Sequence, residues 1–299
     1  MASVATSQFG TIANEHLMGV IKAIQGGSTV AALSGQEPMR FGTGEIVTFP
    51  TAPKAEFVAE GAAKSPSPGA FSTVKTTPHK AQVTVRLNEE VKWADEDYQL
   101  EAMQTLRDAI AKALSRALDL GLYYRVNPLT GSATSWTNYL NTTTNRVERN
   151  TATLDTDIRT AAGLVIGNGE YTPTGIALSS AAAFELGGIL DTNLRPKYPE
   201  VGFGVNLSNF MGLQSSVSST VAGLPEISGG TGVQSIIGDF REGVRWGIQR
   251  EIPIGLIEYG DPDGLGDLKR NNQIALRAEV QYAWYVDAAR FAVVEDAVS

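Results

Sequence analysis

An α+β fold is predicted from three features of the sequence. Residues 46–49 and 83–87 carry β character around a turn-rich tip, and residues 100–118 repeat apolar groups at helical spacing. From about residue 154 strand-like and helix-like segments alternate before a β-rich end. The 299 residues, 42% hydrophobic and 19% charged, suffice for a sizeable core.

Residues 1–40 mix Gly, Ser and Gln with isolated apolar groups. Only 14–24 has a helical stripe, formed by Leu17, Val20, Ile21 and Ile24. A helix that short is marginal without a partner surface, so an extended N-terminal arm is expected. Next, Ile46-Val47-Thr48-Phe49 and Val83-Thr84-Val85-Arg86-Leu87 read as strands, with the small and turn-forming residues of 60–69 as a flexible tip. The simplest structure pairs these strands as a long ribbon. Two strands cannot bury both faces, so the ribbon needs another surface, such as another subunit.

Leu100, Met103, Leu106, Ile110, Ala113, Leu114, Ala117 and Leu118 recur at spacings of three and four, which predicts a long amphipathic helix. Asp95, Glu96 and Asp97 suit its positive N-terminal end, and Gly121 or Asn127-Pro128 closes it. Roughly thirty residues make a rod of about 45 Å, long for a compact domain. Residues 127–150 form a Thr- and Asn-rich connection that Trp136 and Tyr139 anchor. A second module starts near Leu154, with helices over 155–166 and 179–190, a strand over 175–178, and strand material in 213–227 and 235–237. Residues 244–248, 254–259, 273–280 and 291–294 predict a closing antiparallel sheet, the first two separated by Gln249-Arg250-Glu251. No repeat of solenoid or propeller length occurs.

Several chemistries are excluded or disfavoured. There is no cysteine, hence no disulfide, thiolate metal site or thiol nucleophile. The apolar stretch 274–292 contains Arg277, Glu279, Asp287 and Arg290, so no membrane span is expected. A net charge of −8 argues against a general nucleic-acid binder, although an acidic or mixed wall suits a container in which a duplex slides. His16 and His79 lack ligand-like neighbours and read as surface or interface residues. Glu89-Glu90 and Asp95-Glu96-Asp97 invite an acid–base or magnesium reading, but helix-end and solvated charges explain them more simply, with inter-subunit salt bridges as the functional alternative. Residues 261–267 resemble a calcium loop whose glycine falls too early and which lacks the twelfth-position glutamate, so a turn is expected. Gly167-Asn168-Gly169 reads as a helix end, and no phosphate loop or nucleophile motif appears. No cofactor, metal or catalytic residue is therefore assigned.

The order of these elements resembles the major capsid proteins of tailed bacteriophages, the head proteins of the Caudovirales, with the Hong Kong phage-type capsid fold. The text agrees: Ala55-Glu56-Phe57-Val58-Ala59-Glu60-Gly61-Ala62 looks like the family's extended-loop segment, and Phe71-Ser72-Thr73-Val74 through Val83-Thr84-Val85 resembles its return strand. Ile237-Gly238-Asp239-Phe240-Arg241 is similar to the Gly-Asp-Phe start of the closing sheet. Residues 272–279 and 289–293 look like the final strands.

The resemblance implies an N-terminal arm over 1–40 and an extended β-hairpin loop over 41–90. It implies a peripheral domain from 91–151 and 237–299, holding a long spine helix, and an inserted axial domain over 152–236. Hexamers and pentamers would tile an icosahedral shell, assembled in the host bacterial cytoplasm, that encloses double-stranded DNA through non-specific contact and expands on maturation. Scaffold, portal and decoration proteins are the implied partners, and no membrane is involved. Because the arm starts at Met1, a separate scaffold is expected. Arg40, Glu56, Glu60, Lys64, Lys75, Lys80, Glu89, Glu90, Asp95 and Asp97 are the candidate subunit-interface residues, and Lys64 is the candidate for the lysine–asparagine crosslink some relatives form. An encapsulin-like compartment shares the fold, and a carboxylate-dependent hydrolase using Asp95 or Asp261 is the alternative from another class.

Overall fold

The computed structural model describes residues 27–39, 42–51, 55–66, 70–90, 96–149, 154–167, 171–203 and 207–297. The helix expected over 14–24, with His16, and the candidate residues Arg40 and Asp95 lie outside them.

The body is built on helix α2, Glu96–Tyr124, which follows the short helix α1, Thr29–Leu33, in the chain. Its 29 residues span about 43 Å. The amphipathic stripe of its middle gives way to burial on all sides from Leu118 to Tyr124, as expected for a segment whose residues, Asp119 apart, are apolar, aromatic or glycine. One cover is a three-stranded antiparallel sheet of β3 (His79–Asn88), β10 (Gln273–Val286) and β9 (Val244–Ile257), with β10 central. Ala278, Val280, Tyr282, Trp284 and Val286 of β10 join Leu114, Leu118 and Leu122 of the helix in one core. Gly121 lets the helix approach closely, since a Cβ there would lie 2.9 Å from the Trp284 ring.

A second sheet has the order β4-β11-β8-β5-β7-β6, formed by Arg146–Glu148, Phe291–Glu295, Val233–Gly238, Gly175–Leu178, Leu213–Val217 and Asn209–Phe210. It separates two cores. Ala177, Ile236, Phe291 and Val293 share the core of α2. Ile176, Leu178, Ile237, Ala292 and Val294 face helices α3 (Leu154–Gly167) and α4 (Ser180–Gly188). Strand β11 was expected in the closing sheet with 244–259 and 273–280, and the structure corrects this. A run as apolar as Phe291-Ala292-Val293-Val294 requires cover on both faces, which this sheet supplies through the two cores it separates. Of the strand material expected over 213–227, only β7 is strand. Residues Ser219–Ala222 form a 3-10 turn capped by Gly223 in the left-handed conformation.

The ribbon also pairs differently from the expectation. Strand β1, Gly44–Thr51, pairs with β2, Ala70–Thr76, from Gly44↔Thr76 to Thr51↔Ala70. The segment 83–87 is not its partner. It belongs to β3, which pairs with β10 from Gln273↔Asn88 to Tyr282↔His79. Thr77-Pro78 separates the two pairings, as suits a residue with no backbone N–H. Beyond it Val83 and Val85 pack on the core, a surface the ribbon does not offer. Residues 249–251 do not split β9 either. Register shifts occur near Gln249 and Pro253, so the polar residue and the proline are absorbed as bulges. The bulged Gln249 side chain pairs with both the N–H (3.2 Å) and C=O (2.8 Å) of Gly42. The edge of β9 is thereby covered by the segment that leads into the ribbon, which also bridges Gln36 to Trp246.

Candidate functional site

Residues 55–66 at the ribbon's tip are exposed throughout, and Phe57 is fully so. The tip nevertheless has internal order. The Ala62 amide donates to the Ala59 carbonyl at 3.0 Å around Gly61, whose φ of +80° suits glycine. The Glu56 carboxylate accepts from the Ser65 amide at 2.6 Å. A shaped loop with a fully exposed phenylalanine has no apolar surface of its own to cover that ring.

Of the candidate charges, Glu60, Lys64 and Lys75 are exposed along the ribbon, and Glu90 is exposed after β3. Lys80 pairs with Glu279 at 2.6 Å and Glu89 with Lys269 at 2.9 Å. Both pairs tie β3 to the β10 side of the same chain, so these two charges are already engaged. Asp97 lies in the first turn of α2. Among the described residues the candidates form no single cluster: most follow the ribbon and the strand that leaves it, and Asp97 lies apart on α2.

The body's polar sites were less legible. Arg86 donates to Asp261 (3.0 Å), to both oxygens of Asp263 and to the Gly266 carbonyl (2.8 Å). The supposed calcium loop is therefore a turn whose acids surround an arginine, consistent with the expectation of a turn. Asp261, the hydrolase candidate, is held by that arginine and by the Gly266 amide at 3.1 Å. Among the described residues there is no cluster of His, Asp and Glu arranged to hold a metal, and no helix long and apolar enough to cross a membrane.

His79 was expected at the surface or at an interface, and within the chain it is not fully exposed. It is half-buried, its ring tilted against Trp136 at 4.0 Å and Trp284 at 4.3 Å between ring centroids, and burial pushes its pKa down to about 4. Trp136 and Tyr139 do anchor their loop, the first in this ring cluster and the second under Arg125. A second exposed feature escaped the sequence. Phe184 and Phe203 stack at 6.4 Å and 8°, with 62% and 79% of their surface exposed. The Gly187 position permits this, because a Cβ there would strike the Gly202 carbonyl.

The model of the phage capsid family matches residues 9–294. A comparison with curated proteins returns no match. Among solved structures, the chain is similar to one from Mycobacterium phage Ogopogo, with 42% identity, 90% of this chain and 92% of that chain covered, and a TM-score of 0.81. It is similar to one from Gordonia phage Cozz at 25% identity, covering 91% and 87%, with a TM-score of 0.77. The capsid of an empty GTA particle computed with C5 symmetry shares the fold at 15% identity, 91% and 90% coverage and a TM-score of 0.60. A family match over almost the whole length, a 42% identical structure from a phage and the α+β architecture agree: the chain belongs to the phage capsid family and is a major capsid protein with the Hong Kong phage-type fold.

Proposed function

We propose that this protein assembles as hexamers and pentamers into an icosahedral shell that encloses a double-stranded DNA genome and expands on maturation. The observation that carries this reading is the ribbon: its tip, 55–66, has no buried residue yet presents Phe57 on an ordered loop. In a shell, a neighbouring copy covers it. Many modest contacts of this kind add up through multivalency. Residues 1–40 act as the N-terminal arm, 41–90 as the extended loop, 91–151 with 237–299 as the peripheral domain and 152–236 as the axial domain. The exposed charges Glu56, Glu60, Lys64, Lys75 and Glu90 meet neighbouring copies, together with Arg40, Asp95 and Asp97. Lys80 and Glu89 hold the strand from which the loop departs. The stacked Phe184 and Phe203 mark a further surface for copies to meet, at the axial domain. Scaffold, portal and decoration proteins complete the assembly in the host bacterial cytoplasm.

Electron microscopy and sedimentation of the protein, expressed alone and with its neighbouring phage genes, test this directly. Closed shells, tubes or capsomer rings are expected. Stable monomers under every assembly condition would overturn the reading.

A further inference from the structure

The run Leu118-Asp119-Leu120-Gly121-Leu122 places one carboxylate in the fully buried part of α2. A buried charge is costly unless it is saturated with hydrogen bonds, and Asp119 receives five. Ser28 Oγ (2.5 Å) and the Val30 amide (3.2 Å) donate to Oδ1. The Thr29 amide (3.1 Å), Thr29 Oγ1 (2.8 Å) and Thr220 Oγ1 (2.7 Å) donate to Oδ2. Burial raises the Asp119 pKa above the usual carboxylate range, and these bonds oppose the rise. Four donors come from residues 28–30, where the chain arrives from its N-terminal segment, and the fifth comes from the turn between β7 and β8.

The segment so gripped sits between the two lobes. Helix α1 has only five residues, too few to persist without tertiary support. Its own apolar contacts reach the second sheet: Leu33 lies 3.3 Å from where a Cβ on Gly175 would stand, and Gln214 Nε2 donates to the Ala32 carbonyl at 2.8 Å. On the spine side, Ser34 accepts from the Trp246 indole at 3.1 Å, and Gly27 packs on Ser115. The 219–226 turn is held separately on α2, since Arg116 pairs with Glu226 at 2.5 Å and reaches Ser219 at 3.1 Å, while Tyr124 donates to the Val221 carbonyl.

We propose that Asp119 is a positioning residue that fixes the root of the N-terminal arm, residues 28–34, against both lobes, so that arm, spine helix and the 219–222 turn keep one relative orientation. Its consequence for shell building rests on the reading of residues 1–40 as an arm that engages other copies. The latch itself is a property of the single chain and is tested there.

The test is hydrogen exchange, resolved by segment, on the full unassembled chain carrying Asp119→Asn, Thr220→Val or Thr220→Ser. In Asp119→Asn, exchange over 28–34 and 219–222 is expected to rise about tenfold or more, while β10 and α3 keep wild-type protection. Thr220→Val, which removes one donor at nearly constant shape, gives a smaller rise over both segments. Thr220→Ser restores wild-type rates. Unchanged exchange over 28–34 in both the Asn and Val variants overturns the proposal, as does a rise spread evenly over the whole chain. Should Asp119→Asn fail to fold, Thr220→Val decides, and acceleration confined to 219–222 counts against the latch. Failure of the wild type to form shells would remove the functional reading and leave the latch standing.

Discussion

The ribbon tip at 55–66 and the end of helix α2 at 118–124 stand at opposite extremes of burial. In the first every residue is exposed; in the second every residue is buried. The tip has one turn and one side-chain-to-backbone bond to hold its shape. The helix end is covered by β10, by residues 28–34 and by the 219–222 turn. The difference teaches that the chain completes one part of its fold alone and leaves another uncovered, which on the proposed reading a neighbouring copy covers. A loop that exposes a whole phenylalanine while keeping an ordered backbone suits the proposed interaction site better than a failed core.

Substitutions can break or sharpen that contrast. The largest stability effect is expected from Leu118→Ala, which empties a fully buried site among the packed side chains of one core. It should cost about 3 kcal/mol, read from the urea midpoint at unchanged slope. A loss below about 1 kcal/mol would mean that the helix end is not the centre of the body.

Acid comes next. The folded pKa of His79 is depressed to about 4 from an ordinary 6.5, so the unfolded chain takes up the proton first. The stability its neutral ring contributes is full above pH 6.5 and is lost as pH falls toward about 4. The slope should be about 1 kcal/mol per pH unit in that window, after allowance for solvent screening at a half-buried ring. Urea titrations between pH 7 and 4.5 should show a shallower pH dependence for His79→Phe than for wild type. Equal slopes would place the acid sensitivity elsewhere.

The smallest stability effect should come from Phe57→Ser. The ring contacts nothing that its own chain buries, so the unfolding midpoint should move by no more than about 0.5 kcal/mol. Shell yield in the same preparation should fall sharply. A large stability loss, or normal shells, would contradict the assignment of this residue to a neighbour's surface.

Much of the architecture was legible along the chain. The three-and-four spacing from Leu100 to Leu118 announced α2, and the apolar run after Ser180 announced α4, although the residue that caps that helix is Ser179 and not Ser180 as expected. Trp136 and Tyr139 stood out because the loop around them is polar. Other features were visible but incomplete. A single aspartate inside the apolar run 118–124 is a signal that something must satisfy it, yet nothing nearby names Ser28, Thr29 or Thr220. The acids of 261–267 likewise demanded a cation. Arg86 supplies it from the other side of a sheet.

By itself the sequence determined most element types, the 219–222 turn excepted, because helical and strand periodicities are local properties that neighbouring residues express together. It also determined that a ribbon would stand apart from the core, since small and turn-forming residues cannot supply one. Only the tertiary structure decided that β1 pairs with β2 and not with 83–87, and that β11 leaves the closing sheet for the second one. It alone decided that one buried carboxylate gathers donors from two distant segments. These are choices among partners far apart in the chain. They are settled by which surfaces can be covered on both faces and which buried charges can be satisfied.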